Sequence, residues 1–142
     1  MKANAIHYVV AGAVFTAICT QTSIAAATES AETLYKQCQA KQTTVEQREC
    51  YPLVAKESEV ELVAAEKKVR TAMVELEKVS EGSRSMHPVK AFDNAERAYR
   101  AFRTAESHRV LASYGSGNGG GLASYQTIIE MNMMRIHQLN DQ

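Results

Sequence analysis

Three groups of residues in this chain have types and spacings that could do chemistry: a cysteine pair, an arginine–glutamate cluster and a glycine-rich segment. Cys38 and Cys50 have eleven residues between them and no histidine nearby, which does not make a zinc site. In an exported protein the same pair reads as a disulfide. Arg103 and Glu106 stand one helical turn apart, and Arg135 follows in a later helix. Two arginines can sandwich one carboxylate through charge-assisted hydrogen bonds, so this trio is the nearest approach to a buried polar site, and it reads first as structural. Gly115, Ser116, Gly117, Asn118, Gly119, Gly120 and Gly121 form the third group. A phosphate-cradling loop needs a strand before it and a basic residue within it. This segment has neither, and reads as a flexible turn at the tip of a hairpin.

Catalytic constellations are not apparent. His87, His108 and His137 are scattered, without a second ligand four residues on. The serines lack a nucleophile elbow, and no Walker-type loop occurs. The carboxylates are spread over helix faces, so spacing picks out no acid/base pair. The expectation is a protein that is not an enzyme and has no metal site and no cofactor.

The elements that position these groups are helical throughout. From Phe92 to Leu111 no Gly or Pro interrupts the run, and Phe92, Ala95, Tyr99 and Phe102 recur at helical spacing as one apolar face. Glu96, Arg97, Arg100, Arg103 and Glu106 fill much of the remaining surface. Between the cysteines, Thr43-x-x-Glu46 and Thr44-x-x-Gln47 are both capping-box patterns. A helix therefore starts there, with Cys38 on the helix before the turn and Cys50 early on the one after. A bridge between them would staple an antiparallel hairpin. Pro52 predicts a kink or a restart. Leu62, Val69, Met73 and Leu76 make the clearest stripe of the long helix that ends near Val79, with Glu66 in its seam. Gly82 suits a C-cap and Pro88 the first turn of the next helix. The last helix runs from about Leu122 to Leu139, with Ile128, Met131, Arg135 and Leu139 on one face and Ile129, Met133 and Ile136 alongside. The fold class is all-α: about four helices, one of them long, in disulfide-stapled hairpins.

The N-terminus reads as a secretory signal peptide, residues 1–27. Lys2 supplies a positive end, Val9 to Ile18 is mostly apolar, and Ala25-Ala26-Ala27 offers small residues for cleavage before Thr28. Polar residues from Thr20 onward break the run short of a bilayer span of about 20 residues. Cys19 follows Ile18 rather than a small residue, which argues against lipidation. Residues 28–142 then form a single domain with 15 basic and 16 acidic residues, a net charge of −1. That balance argues against nucleic acid or an anionic membrane as the main partner.

The order Glu96-x-x-Tyr99-x-x-Phe102-Arg103-x-x-Glu106 resembles the signature of the lysozyme-inhibitor LprI-like domain, a family of small secreted bacterial proteins. Members typically read Gln-x-x-Trp-x-x-Tyr-Arg-Asp-x-Glu-Cys, then a Gly-rich turn, then a helix with Cys and Arg eight apart. Arg103 and Glu106 stand unchanged here, Arg135 matches the later arginine, and Ser107 and Thr127 occupy the positions of a second disulfide. The Cys38/Cys50 spacing fits the family's first disulfide. The resemblance spans about Cys38 to Leu139. It implies a periplasmic or secreted protein-binding domain, with a lysozyme or another cell-wall hydrolase as its partner. The Gly115–Gly121 loop is a candidate contact. Two other roles stay open: an immunity or accessory protein against a different cell-wall-directed toxin, and a structural or stress-related envelope protein.

Overall fold

A computed structural model describes residues 29–142, and the signal-peptide expectation for residues 1–27 lies outside the described residues. The order is α1 (Ala31–Gln39), α2 (Thr44–Val79), α3 (Glu81–Ser85), α4 (Pro88–Ser113) and α5 (Gly120–Asn140), with no strand among the described residues. Four of these are principal helices; α3 is a five-residue turn of helix in the α2–α4 connection.

Each start has a local cause. Ser30 caps α1 by accepting from the Thr33 backbone N–H at 3.3 Å. The Ala31 N–H donates to Glu61 Oε1 at 2.7 Å, which fastens the start of α1 to the side of α2. Of the two capping boxes in the sequence, the chain uses the first. The Glu46 N–H donates to Thr43 Oγ1 at 3.2 Å, and the Thr43 N–H donates to Glu46 Oε2 at 3.1 Å. Pro52 does not end the helix: α2 continues through it from Thr44 to Val79. Its missing N–H costs one hydrogen bond, to the Arg48 carbonyl, and burial of Tyr51 and Val54 on either side holds the helix together.

Gly82 is not a C-cap. Ser80 leaves α2 in an extended conformation and caps α3 instead, accepting from the Ser83 N–H at 3.0 Å, so Gly82 lies inside α3. The left-handed residue of this connection is His87, with φ 49° and ψ 51°, immediately before Pro88 at the start of α4. The residue before a proline is disfavoured in the α region, which explains why the helix cannot begin one residue earlier.

The core consists of two apolar clusters. One gathers Tyr35, Cys38, Tyr51, Val54 and Ile129, and includes the Cys38–Cys50 disulfide with its Cα atoms 5.8 Å apart. The other gathers Leu62, Ala65, Val69 and Leu139, with Phe92, Tyr99 and Ile136 against it. Between them, in the order of residues along α2 and α5, lie Ser58 and Asn132, both fully buried. The Asn132 amide donates to Ser58 Oγ at 3.0 Å. A polar layer thus divides the core, and it fixes how α2 and α5 are set against each other.

Two expected apolar faces are corrected by these positions. Leu76 is exposed, although Leu62 and Val69 are buried as the stripe requires. On α4, Phe102 is 60% exposed and Ala95 is exposed, while Glu96 is 6% and Ser107 3% exposed. The inward face runs through Phe92, Glu96, Tyr99, Arg103 and Ser107, rotated from the apolar stripe because the helix buries paired charges.

Candidate functional site

The inward face of α4 meets α2 on one side and α5 on the other, and charged pairs cross both boundaries. Towards α2, Arg100 Nη2 donates to both oxygens of Glu66, at 3.0 and 2.8 Å, and its other arm reaches Glu59. Arg103 donates to the second Glu59 oxygen at 2.6 Å and also to the Asn132 side-chain carbonyl, joining the ion pairs to the buried Ser58–Asn132 layer. Towards α5, Arg135 makes a two-armed contact with Glu96. Its guanidinium lies 5.4 Å from the centre of the Tyr99 ring, and the Tyr99 hydroxyl donates to the Met131 carbonyl at 2.6 Å.

Electrostatics follow this geometry. Burial pushes the Glu59 carboxyl up, but hydrogen bonds from Arg100 and Arg103 and their charges outweigh it, holding the group below the usual carboxylate range. The Arg100 and Arg135 guanidiniums are raised, chiefly by their hydrogen bonds to Glu66 and Glu96 respectively. Burial raises the Tyr99 phenol, keeping it a neutral donor to the backbone. Because the folded Glu59 pKa lies below the unfolded value of about 4.3, its contribution is present above that pH and lost as pH falls through the folded pKa. The urea midpoint of the protein should therefore drop between pH 6 and pH 3 by more than that of Glu59→Gln. Parallel acid curves for the two proteins would contradict this.

The trio of Arg103, Glu106 and Arg135 is not assembled. Glu106 turns outward and pairs with Arg109 at 2.6 and 2.8 Å, while the two arginines take Glu59 and Glu96. Of the motif residues, Glu96, Tyr99, Arg103 and Arg135 belong to the partly buried interhelical seam; Phe102 is exposed and Glu106 pairs within its own helix. In the sequence Arg100 reads only as a surface charge and Glu66 only as an interruption of the α2 stripe, and Glu59, Ser58 and Asn132 are not singled out. A signal was present, since Glu59 and Glu66 lie seven apart on one side of α2 and Arg100 and Arg103 lie three apart on α4.

The second-disulfide positions are also revised. Ser107 Oγ lies 2.7 Å from Ser124 Oγ, whereas Thr127 Oγ1 turns back onto the Ala123 carbonyl at 2.8 Å. The residue opposite Ser107 is thus Ser124, one turn before Thr127. Ser107→Cys with Ser124→Cys should oxidise to a bridge worth about 3 kcal/mol on the chain-entropy relation. Intact mass and a thiol assay check this; free thiols after oxidation would contradict the assigned register.

At the disulfide end, the α4–α5 loop makes hydrogen bonds within itself and one to α2. The Gly117 N–H donates to the Tyr114 carbonyl at 2.9 Å, and Arg48 from the start of α2 donates to the Asn118 carbonyl at 2.9 Å. Gly115 adopts φ +54°, and a Cβ on Gly119 would come within 2.9 Å of the Tyr114 ring. Gly120 and Gly121 are helical, so α5 begins two residues before Leu122. The Arg48–Asn118 bond joins this loop to the α1–α2 hairpin at one end of the bundle. Among the described residues no cluster of metal-ligating side chains occurs, and no helix is long and apolar enough to cross a membrane.

These features define an all-α, single-disulfide domain whose fourth helix is locked to its neighbours by arginine–carboxylate pairs and whose glycine-rich turn caps the stapled end. Residues 35–139, well over half of the chain, match the model of the family described as Lysozyme inhibitor LprI, and the chain belongs to that family. No curated protein and no solved structure matches it.

Proposed function

We propose that the domain of residues 28–142 is exported to the periplasm or beyond and inhibits a lysozyme-type muramidase by binding it. The observation that carries this reading is the family match over residues 35–139. Muramidases place carboxylates on either side of the scissile glycosidic bond, in a cleft shaped for sugars. An inhibitor needs no reactive group; it needs a stiff projection that occupies that cleft and offers hydrogen bonds there.

The end of the bundle carrying the Gly115–Gly121 loop suits that role. Tyr114, Ser116 and Asn118 are exposed there, the disulfide closes the neighbouring α1–α2 hairpin, and the Arg48–Asn118 hydrogen bond ties the loop to the start of α2. Ordering done in advance lowers the entropic cost of association. The partly buried seam of Glu59, Glu66, Glu96, Arg100, Arg103 and Arg135 is the scaffold, not the contact. Near-zero net charge means slow, weakly salt-dependent association rather than electrostatic steering. A titration of the mature domain into a muramidase acting on peptidoglycan tests the reading. Lysis should fall in proportion to inhibitor added, without turnover. A panel of muramidases of several structural classes, all uninhibited at micromolar domain, would leave an envelope binding protein of different target.

A further inference from the structure

A second surface lies away from the loop. Between α2 and α4 runs an open groove of about 440 Å³, within the range of roughly 300–1,000 Å³ typical of ligand sites. Val63 and Phe92 supply its apolar walls, and Val63 is 49% exposed. Val60, three residues before Val63 on α2, is also more than half exposed and extends the apolar strip.

The charges around the groove are unevenly committed. Its three carboxylates are each taken by an arginine: Asp93 by Arg70 in a two-armed pair at 2.9 and 3.2 Å, Glu66 by Arg100, and Glu96 by Arg135. Two cations remain. Lys67 on α2 and Arg97 on α4 are exposed and have no ion pair among the described residues; Arg97 touches only the Asn94 amide oxygen, at 3.2 Å. Apolar walls with one free cation contributed by each helix complement an anion that carries an apolar group.

We propose that this groove binds a short acidic peptide segment of a partner protein, seating an apolar side chain against Val63 and Phe92 while its carboxylates meet Lys67 and Arg97. Two free cations are too few to hold a nucleic acid, whose binding grows with every phosphate neutralised. Both lips belong to helices joined by the Arg70–Asp93 and Arg100–Glu66 pairs, so the groove is present before the segment arrives.

The test is fluorescence polarisation on the mature domain with a labelled peptide, Gly-Asp-Leu-Glu-Phe-Asp-Gly, and a control with lysine at each acidic position. The acidic peptide should bind with a Kd below about 1 mM, the weak end of specific association. The control should bind at least about tenfold more weakly. Lys67→Glu with Arg97→Glu should weaken the acidic peptide by at least about tenfold and leave the thermal midpoint unchanged, because neither side chain is buried or paired. Val63→Asp should weaken it as well, and shortening the Gly115–Gly121 loop should not. Equal binding of the control peptide, unchanged binding by the charge-reversed variant, or no binding at all would overturn the proposal. Displacement by free hexanoate with equal affinity would also overturn it, by making the occupant a small carboxylate.

Discussion

Glu96→Ala is expected to lower the unfolding free energy by about 3–5 kcal/mol, the usual cost of leaving a buried charge without its partner. Glu96 is 6% exposed, and its carboxylate takes both arms of Arg135, which is itself largely buried. Removing the carboxylate leaves a guanidinium at the α4–α5 boundary with Gln138 and the Tyr99 ring as its remaining partners. Urea denaturation at pH 7 reads the loss as a lower midpoint at unchanged slope. Phe102→Ala is the informative contrast. A large aromatic residue ordinarily costs 3–5 kcal/mol when it is removed from a core, but Phe102 is 60% exposed and should cost no more than about 0.5 kcal/mol. The reverse ranking would mean that α4 presents its apolar stripe inward, and the account of the seam would fail.

That contrast marks where the sequence was readable. Helix positions came from strong local signals: the Thr43–Glu46 box, Pro88 at the start of α4, and glycines between α4 and α5. The hairpin staple was readable because Cys38 and Cys50 sit on either side of one capping box. The face of α4 was not. Apolar periodicity assumes that charges go outward, and here Glu96 and Arg103 are paired inside while Ala95 and Phe102 face solvent. Pairing partners lie 29 to 44 residues away, on α2 and α5, so no local pattern names them. The Gly82 expectation failed for a related reason. A serine cap at Ser80 and a left-handed His87 turn the chain where glycine was expected to do so.

Replacing both Cys38 and Cys50 by Ser should cost about 2–4 kcal/mol, a large part of the stability of a domain this size. The bridge closes the α1–α2 hairpin inside the first apolar cluster, where Cys38 is fully buried and Tyr35 and Tyr51 lie with ring centres 5.8 Å apart. Two hydroxyls placed there add a desolvation cost to the lost constraint. Reduction of the unaltered protein separates these contributions: it should give the smaller loss, because the thiols remain apolar. Equal midpoints for the reduced, oxidised and doubly substituted proteins would show that α1 is held by the Ala31–Glu61 and Tyr35–Glu130 hydrogen bonds alone.

The central claim is that a preorganised loop at the stapled end enters a muramidase cleft. The most direct measurement compares the inhibition constant of the mature domain with that of a variant lacking Ser116 and Gly117, on the same enzyme and peptidoglycan. Both residues lie in the non-helical turn between α4 and α5, so the helical signal should be unchanged. The account predicts at least about a hundredfold weaker inhibition, equivalent to roughly 2.7 kcal/mol of binding free energy. Undiminished inhibition by the shortened, fully helical variant would contradict it and move the contact to a helical face.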